Sequence, residues 1–271
     1  MTSRPLCPVC GKPSRHEIST SLKRCAECGI IFNTEFKSLS YGRDYFIDEY
    51  REQYGKTYIE DFDNIYSMAQ GRLDRILCHF RGTEGLSLLD LGCAAGFFLK
   101  AAKDRGIEDL LGIEISPFAA QHCRENFGIE VIESPFNNAD NSRMFSVISS
   151  WFFLEHMAEP YEVIQRVYSM LEDGGVFALG IPSWFGPSFH FNRKGWIDTH
   201  PQDHMIDLSP SSAKKILKKA GFRRVKVYRS GYHPERVVKK DSWVYPLFEP
   251  PYNLFSRVTA YSDTIEIYAV K

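Results

Sequence analysis

Three groups of residues in this 271-residue chain have the types and spacing to do chemistry. The first is the run Leu88-Leu89-Asp90-Leu91-Gly92-Cys93-Ala94-Ala95-Gly96. A short apolar strand ends in an acid, a tight turn follows, and a helical pattern starts after the second glycine. Gly92 and Gly96 stand where the backbone would pass close to a ligand and a Cβ would collide. Glu114 lies 24 residues beyond Asp90 and ends a second apolar run, Leu110-Leu111-Gly112-Ile113. An acid at the end of the second strand of a βαβ unit is placed to accept hydrogen bonds from ribose hydroxyls. The expectation is a nucleoside-bearing cofactor across the ends of the first two strands. Neither G-x-G-x-x-G nor G-x-x-x-x-G-K-S/T occurs, so a pyrophosphate cradle is not expected.

The second group is Cys7-Pro8-Val9-Cys10 and Cys25-Ala26-Glu27-Cys28, two C-x-x-C pairs with fourteen residues between them. Each pair forms a turn that aims two thiolates at one ion, and four together suit a tetrahedral zinc ion. Gly11 and Gly29 directly follow the pairs, where such turns need relaxed backbone angles. Four sulfur ligands leave no open position, so the metal is expected to be structural and to supply folding energy. The third group is His156, His200 and His204. An imidazole titrates near neutral pH and suits proton abstraction from a hydroxyl; His204 is the first candidate base, then His156.

Around these groups the pattern alternates strand and helix. Strands are expected near 86–91, 110–114, 129–132, 144–150, 175–181, 222–229 and 264–270. Helices are expected near 61–81, 96–105, 117–127, 159–172 and 210–220. Ser116-Pro117 is a helix start, and Asp173-Gly174-Gly175 a helix stop. Alternating β and α with short loops implies an α/β, doubly wound, mostly parallel sheet with ligands at the strand C-terminal ends. Residues 34–85 form an aromatic linker and N-terminal helices. Tyr41, Tyr45, Phe46, Tyr50, Tyr54 and Tyr58 lie there, the last four recurring every four residues as one helical stripe. The stripe packs the linker on the main domain or roofs a pocket.

The Asp90–Gly96 turn resembles the D-x-G-x-G-x-G turn of class I S-adenosylmethionine (SAM)-dependent methyltransferases, with Ala94 in place of the middle glycine. Glu155-His156 resembles the E-H turn of many small-molecule methyltransferases. In the ubiquinone-type O-methyltransferases an acid three residues before this Glu helps hold a divalent cation, and here Phe152 stands there. Ser146 stands where the family commonly has Asp. The run Trp196…Asp198…His200-Pro201-Gln202-Asp203-His204 resembles the Trp…Pro…His stretch of methyltransferases carrying an N-terminal zinc ribbon. Ala220-Gly221-Phe222 matches that family's turn into the sixth strand.

The resemblance spans nearly the whole chain. It implies a seven-stranded Rossmann-like methyltransferase sheet over 86–271, with lid insertions near 183–209 and 230–262, and a zinc ribbon over 1–33. Asp90, Gly92, Cys93, Ala94 and Gly96 would line the methionine and ribose of SAM. Glu114 would take the ribose hydroxyls and Ile115 the adenine. Ser134, Pro135 and Phe136 would rim the adenine, and Trp151 and Phe152 would close the pocket beside the methyl group. The reaction implied is methyl transfer to a small-molecule acceptor, foremost a hydroxyl of a sugar, glycan precursor or secondary metabolite. C- or N-methylation on the same fold is the alternative. A non-catalytic SAM-binding or ribbon-docking module is an alternative of another class.

A net charge of −1 gives no field for nucleic acid, and the basic cluster Lys214, Lys215, Lys218, Lys219, Arg223 and Arg224 is read as a solvated helix face. No apolar run approaches the ~20 residues that span a bilayer, and the N-terminus has no signal-peptide core; a cytoplasmic protein is expected. Oligomeric state is not legible.

Overall fold

The computed structural model describes residues 4–14, 16–38, 42–139 and 143–271. Tyr41, one of the linker aromatics, lies outside the described residues. The chain forms two compact units, one of residues 1–38, 152–166 and 179–269, the other of 39–151, 167–178 and 270–271.

In the second unit, β4 (Ser87–Leu91), β5 (Asp109–Glu114), β6 (Glu130–Glu133) and β7 (Phe145–Trp151) pair in parallel, with β4 between β7 and β5. Every residue of β4 is buried, which suits a central strand covered on both faces. Helices α2 (Phe62–Leu77), α3 (Phe97–Asp104) and α4 (Pro117–Phe127) belong to the same unit. Helix α4 starts as its sequence dictates: Ser116 Oγ accepts from Ala119 N, Pro117 fills the first turn, and Gly128 closes it at φ +62°. Ser146 replaces the usual acid with a local network. Its N–H bonds Ser87 Oγ at 3.0 Å and its hydroxyl donates to Glu172 at 2.8 Å.

The aromatic stripe breaks into pieces, an irregular turn Tyr45–Glu49, helix α1 (Tyr50–Tyr54) and a stop at Gly55. Its rings still gather. Tyr58 meets Phe46, Tyr50 and Phe97 at 5.2–5.3 Å between centroids.

In the first unit, β1 (His16–Glu17), β2 (Leu22–Arg24) and β3 (Ile31–Asn33) form an antiparallel ribbon. A fourth strand, β9 (Ile206–Asp207), comes from the loop after the fifth main strand and pairs with β3. Helices α6 (Pro187–Phe191) and α7 (Arg193–Asp198) occupy that loop, and α8 (Pro210–Lys219) follows behind a Ser209–Ser212 capping box. Lys215 of α8 bonds Glu27, and Lys219 reaches Val9 O and lies 4.4 Å over the Tyr161 ring. That face is therefore partly docked on the ribbon and not simply solvated.

The complete main sheet has seven strands in the order β10-β11-β8-β7-β4-β5-β6, with β8 (Leu171–Pro182), β10 (Arg224–Ser230) and β11 (Thr264–Val270) as the remaining members. The α/β, seven-stranded, mostly parallel architecture is as expected. Helix α5 (Pro160–Met170) ends earlier than expected because β8 starts at Leu171. The glycines expected to stop the helix lie inside the strand's first residues, where Gly174 takes φ +81°. The proline-rich connection before β11 is a helix, α9 (Tyr245–Thr259), despite Pro250 and Pro251. Each proline removes one ladder donor, and tertiary anchoring offsets the loss. Tyr252 and Ser256 are buried, and Asn253 takes a 2.6 Å bond from Arg229.

Candidate functional site

Three clusters carry the chemistry-bearing residues, one in the second unit and two in the first. In the second unit the turn after β4 is built around two buried carboxylates. Asp90 ends β4 with its Oδ1 accepting from Ser149 Oγ at 2.7 Å. Burial pushes its carboxyl up to about 7, against the pull of the Ser149 hydroxyl and then of Arg72. Glu114 ends β5, and its two oxygens accept separately from Ala94 N at 2.9 Å and Ser116 N at 2.8 Å. Burial raises Glu114 as well, and those backbone donors oppose the rise.

Backbone geometry explains why the turn needs its residue types. Gly92 and Gly96 sit at φ +66° and +83°. A Cβ on Gly96 would run into Cys123 Sγ of α4, so this glycine answers to packing between helices. This packing demand stands beside the close approach to ligand expected from sequence. Ala94 takes φ +48°, a left-handed conformation that costs an L-residue roughly 1–2 kcal/mol. The bond from its N–H to Glu114 holds it there.

The other expected cofactor residues take distinct positions. Cys93 is buried. Ile115 is 43% exposed beside Glu114, an apolar side chain open to a flat apolar ligand. Ser134 and Pro135 stay at the surface, whereas Phe136 is in the core. Trp151 ends β7 against Phe98, and the cation over its face is Arg72, 4.2 Å from the centroid. Two residues here escaped the reading of the sequence as site residues. Arg72 is buried on α2, and an arginine on the apolar side of an amphipathic helix was the available signal. Tyr58 has its phenol raised well above the usual range, first by burial, then by Tyr50, Tyr45, Asp90 and Glu114. Its place in the aromatic stripe marked it only as packing.

In the first unit, the Phe152 backbone takes φ +57°, and its N–H bonds Gly180 O. The single turn Leu154–His156 follows. The loop carrying His200 and His204 is tied to this turn by Met205 N to Glu155 O, 2.6 Å, and to the ribbon by Asn33 N to Met205 O, 2.9 Å. All three candidate histidines come together. His156 and His204 rings are 4.8 Å apart, and His204 and His200 rings 5.8 Å. Asp203 holds His156 through Nδ1 at 2.9 Å, and Asp207 of β9 holds His200 through Nε2 at 2.7 Å. Burial pulls His156 down, but Asp203 and Glu155 outweigh it and leave the imidazole above its ordinary value. Burial, then His156, push His204 down to about 4, so it is neutral at pH 7. Glu155 is fully buried, and burial pushes it up to about 7 against the pull of His156.

The four ribbon cysteines also converge, with all four sulfurs within 4.8 Å of one another. Cys7–Cys28 and Cys10–Cys25 are each 3.5 Å apart, near the ~3.8 Å edge of a tetrahedron of sulfurs around zinc. The Cys28 thiol holds Cys7 down to about 5.

A family model described as a methyltransferase domain matches residues 63–227, more than half of the chain. The chain belongs to the class I SAM-dependent methyltransferase family. A ubiquinone biosynthesis O-methyltransferase of Psychrobacter arcticus is 24% identical over 168 residues, 56% of this chain and 65% of the relative. This methyltransferase-family chain thus spans just under two thirds of that protein's length. A tRNA U34 carboxymethyltransferase of Pseudoalteromonas translucida is 23% identical over 112 residues, 39% of this chain and 35% of the relative. The crystal structure of a SAM-dependent methyltransferase from Archaeoglobus fulgidus superposes with a TM-score of 0.56 at 18% identity, covering 82% of this chain and 98% of the other. Among the described residues no helix is long and apolar enough to cross a membrane.

Because folding raises the Asp90 pKa, the native state holds more protons than the unfolded chain between about pH 4 and 7. The contribution of this group to stability falls as pH rises through that window and is level above it. Asp90→Asn is expected to raise unfolding stability at pH 8 by on the order of 2–4 kcal/mol, a gain that shrinks toward zero near pH 4. Chemical denaturation at both pH values measures it, and a gain independent of pH would refute the assignment.

Proposed function

We propose that the chain transfers the methyl group of SAM to a hydroxyl of a small-molecule acceptor, a sugar, glycan precursor or secondary metabolite. The observation that carries the cofactor half is the pair of buried acids around a turn whose backbone is fixed by Glu114, in a chain matching the family over 63–227. Glu114 has lone pairs beyond the two bonds it accepts, and these would take the ribose hydroxyls. Exposed Ile115 would cover the adenine. The sulfonium is already activated, so alignment of the acceptor accounts for much of the rate. A near-neutral charge and a relative named for O-methylation support a small hydroxyl acceptor.

The acceptor proton is assigned to the histidine cluster. His204, neutral at pH 7, and His156, oriented by Asp203, are the members with the chemistry to receive it. The four N-terminal thiols are assigned a structural zinc ion, supported by their convergence and spacing. Four sulfur ligands close its coordination and leave it no part in the reaction.

Titration calorimetry should show SAM bound by the wild-type chain and bound roughly 10–100-fold more weakly by Glu114→Ala, the loss of charge-assisted bonds to ribose. A wild-type chain that does not bind SAM refutes the reading. With hydroxylated sugars screened for release of S-adenosylhomocysteine, His204→Ala and His156→Ala should each lower kcat by roughly 10²–10⁴. Full turnover in either variant removes that histidine from the list. Stripping zinc with a strong chelator should melt β1–β3 and lower Tm, with one equivalent of Zn²⁺ restoring both; metal analysis and circular dichroism report the outcome.

A further inference from the structure

Helix α9 carries apolar side chains on two opposite faces, and only one of them is packed. On the packed face Tyr252 meets the Tyr232 and Tyr261 rings, and Ser256 donates to Tyr261 O. On the other face Leu247, Leu254 and Val258 are 73%, 66% and 77% exposed. They lie at i, i+7 and i+11, one stripe of the helix, and Trp243 extends the stripe at 83% exposure. A helix that is apolar on both faces is ordinarily covered on both. Between the faces, exposed Phe255 and Phe191 edge a hollow of about 360 Å³. Its walls are almost wholly apolar and include Phe185, Phe248 and Tyr261.

We propose that α9 is the interface of a two-fold homodimer in which Trp243 of each copy enters the hollow of the other. Three observations select a second copy as the occupant. The first is area. Trp243, Leu247, Leu254, Phe255, Val258 and Phe191 together expose apolar surface on the order of 600 Å². That is the top of the range for one patch on a monomer, and it approaches the ~800 Å² that each partner gives to a standard interface. The second is self-complementarity. A two-fold axis across α9 at Glu249 sets Trp243 opposite Phe255 and Leu247 opposite Pro251. The indole and the hollow that would take it then lie on the same surface, as an isologous contact requires.

The third observation is charge. The same register sets Asp241 opposite Arg257, twice by symmetry. Both are exposed, and neither has an ion-pair partner among the described residues. Glu249, at the axis, accepts from the Tyr232 hydroxyl on the packed side, so the two copies do not press like charges together. A membrane surface fits the face less well. A helix lying on a bilayer carries a polar face rich in Lys and Arg, whereas α9 has one cation, Arg257, and one acid, Glu249.

Sedimentation velocity of the full chain over a micromolar concentration series should show a species of twice the 31.2 kDa chain mass. Trp243→Ala and Leu254→Glu should each raise the dimer Kd at least ~30-fold while circular dichroism stays native, since a buried aromatic anchor carries much of an interface. Asp241→Arg and Arg257→Asp should each weaken the dimer at least ~3-fold, and the two exchanges combined should restore it. That restoration reads the antiparallel register directly, and it uses exposed positions that leave the core untouched. A wild-type chain that stays monomeric overturns the proposal. So does a dimer that neither Trp243→Ala nor Leu254→Glu weakens, or a combined exchange that fails to restore pairing. Retention of a monomeric chain on vesicles of phosphatidylcholine and phosphatidylglycerol, lost in Leu254→Glu, assigns the face to a membrane and overturns it as well.

Discussion

The pairing of β9 with β3 holds the histidine-bearing loop in place. Ile206 and Asp207 are only two residues, yet they join a segment from the far end of the chain to the cysteine ribbon. Asp207 is one of the two, and its side chain fixes His200. One residue before them, Met205 donates its N–H to Glu155 and accepts from Asn33. A backbone satisfied on both sides cannot slide, because a one-residue slip would reverse which side chains face inward. The ribbon is thus more than an appendage, since its edge strand sets the register of the loop that carries His200 and His204.

Unfavourable terms concentrate at the groups expected to act. Asp90, Glu114 and Glu155 are buried acids whose protons are harder to lose than in water. Ala94 and Phe152 hold left-handed backbone that their side chains disfavour. Each such feature survives because its surroundings over-determine it, through Glu114 for Ala94 and through the Gly180 carbonyl for Phe152. The aromatic packing of the second unit, with Tyr58 and Phe62 against Phe97, and the strand cores supply the offsetting stability.

Much of this was legible in the sequence, and the exceptions have physical causes. Local signals read true: Ser116-Pro117 started α4, the helix expected near 210–220 is α8, and the apolar runs became β4 and β5 within a residue or two. The convergence of the four cysteines also followed from their spacing, whereas the three histidines were weighed singly and their meeting was not foreseen. Long-range effects did not announce themselves. A two-residue strand such as β9 has no periodicity to detect, and its partner lies about 175 residues away. Helix α9 overrides two prolines through tertiary anchors. Arg72 carries no mark in the sequence of its place beside Trp151 and Asp90, which only the fold brings about. Gly96 was singled out for a ligand's approach, and the neighbour that a Cβ there would strike, Cys123, belongs to another helix and was not legible.

The distance between β3 and β9 along the chain bears on how the protein is made. During synthesis the ribbon leaves the ribosome before β9, and its β3 edge then waits for a partner about 175 residues behind. At roughly 5–20 residues per second that wait lasts on the order of 10–35 s. Throughout it the edge presents unpaired N–H and C=O groups, with Ile31 and Phe32 beside them, to any passing strand. This opening to mispairing closes only when residues 206 and 207 emerge.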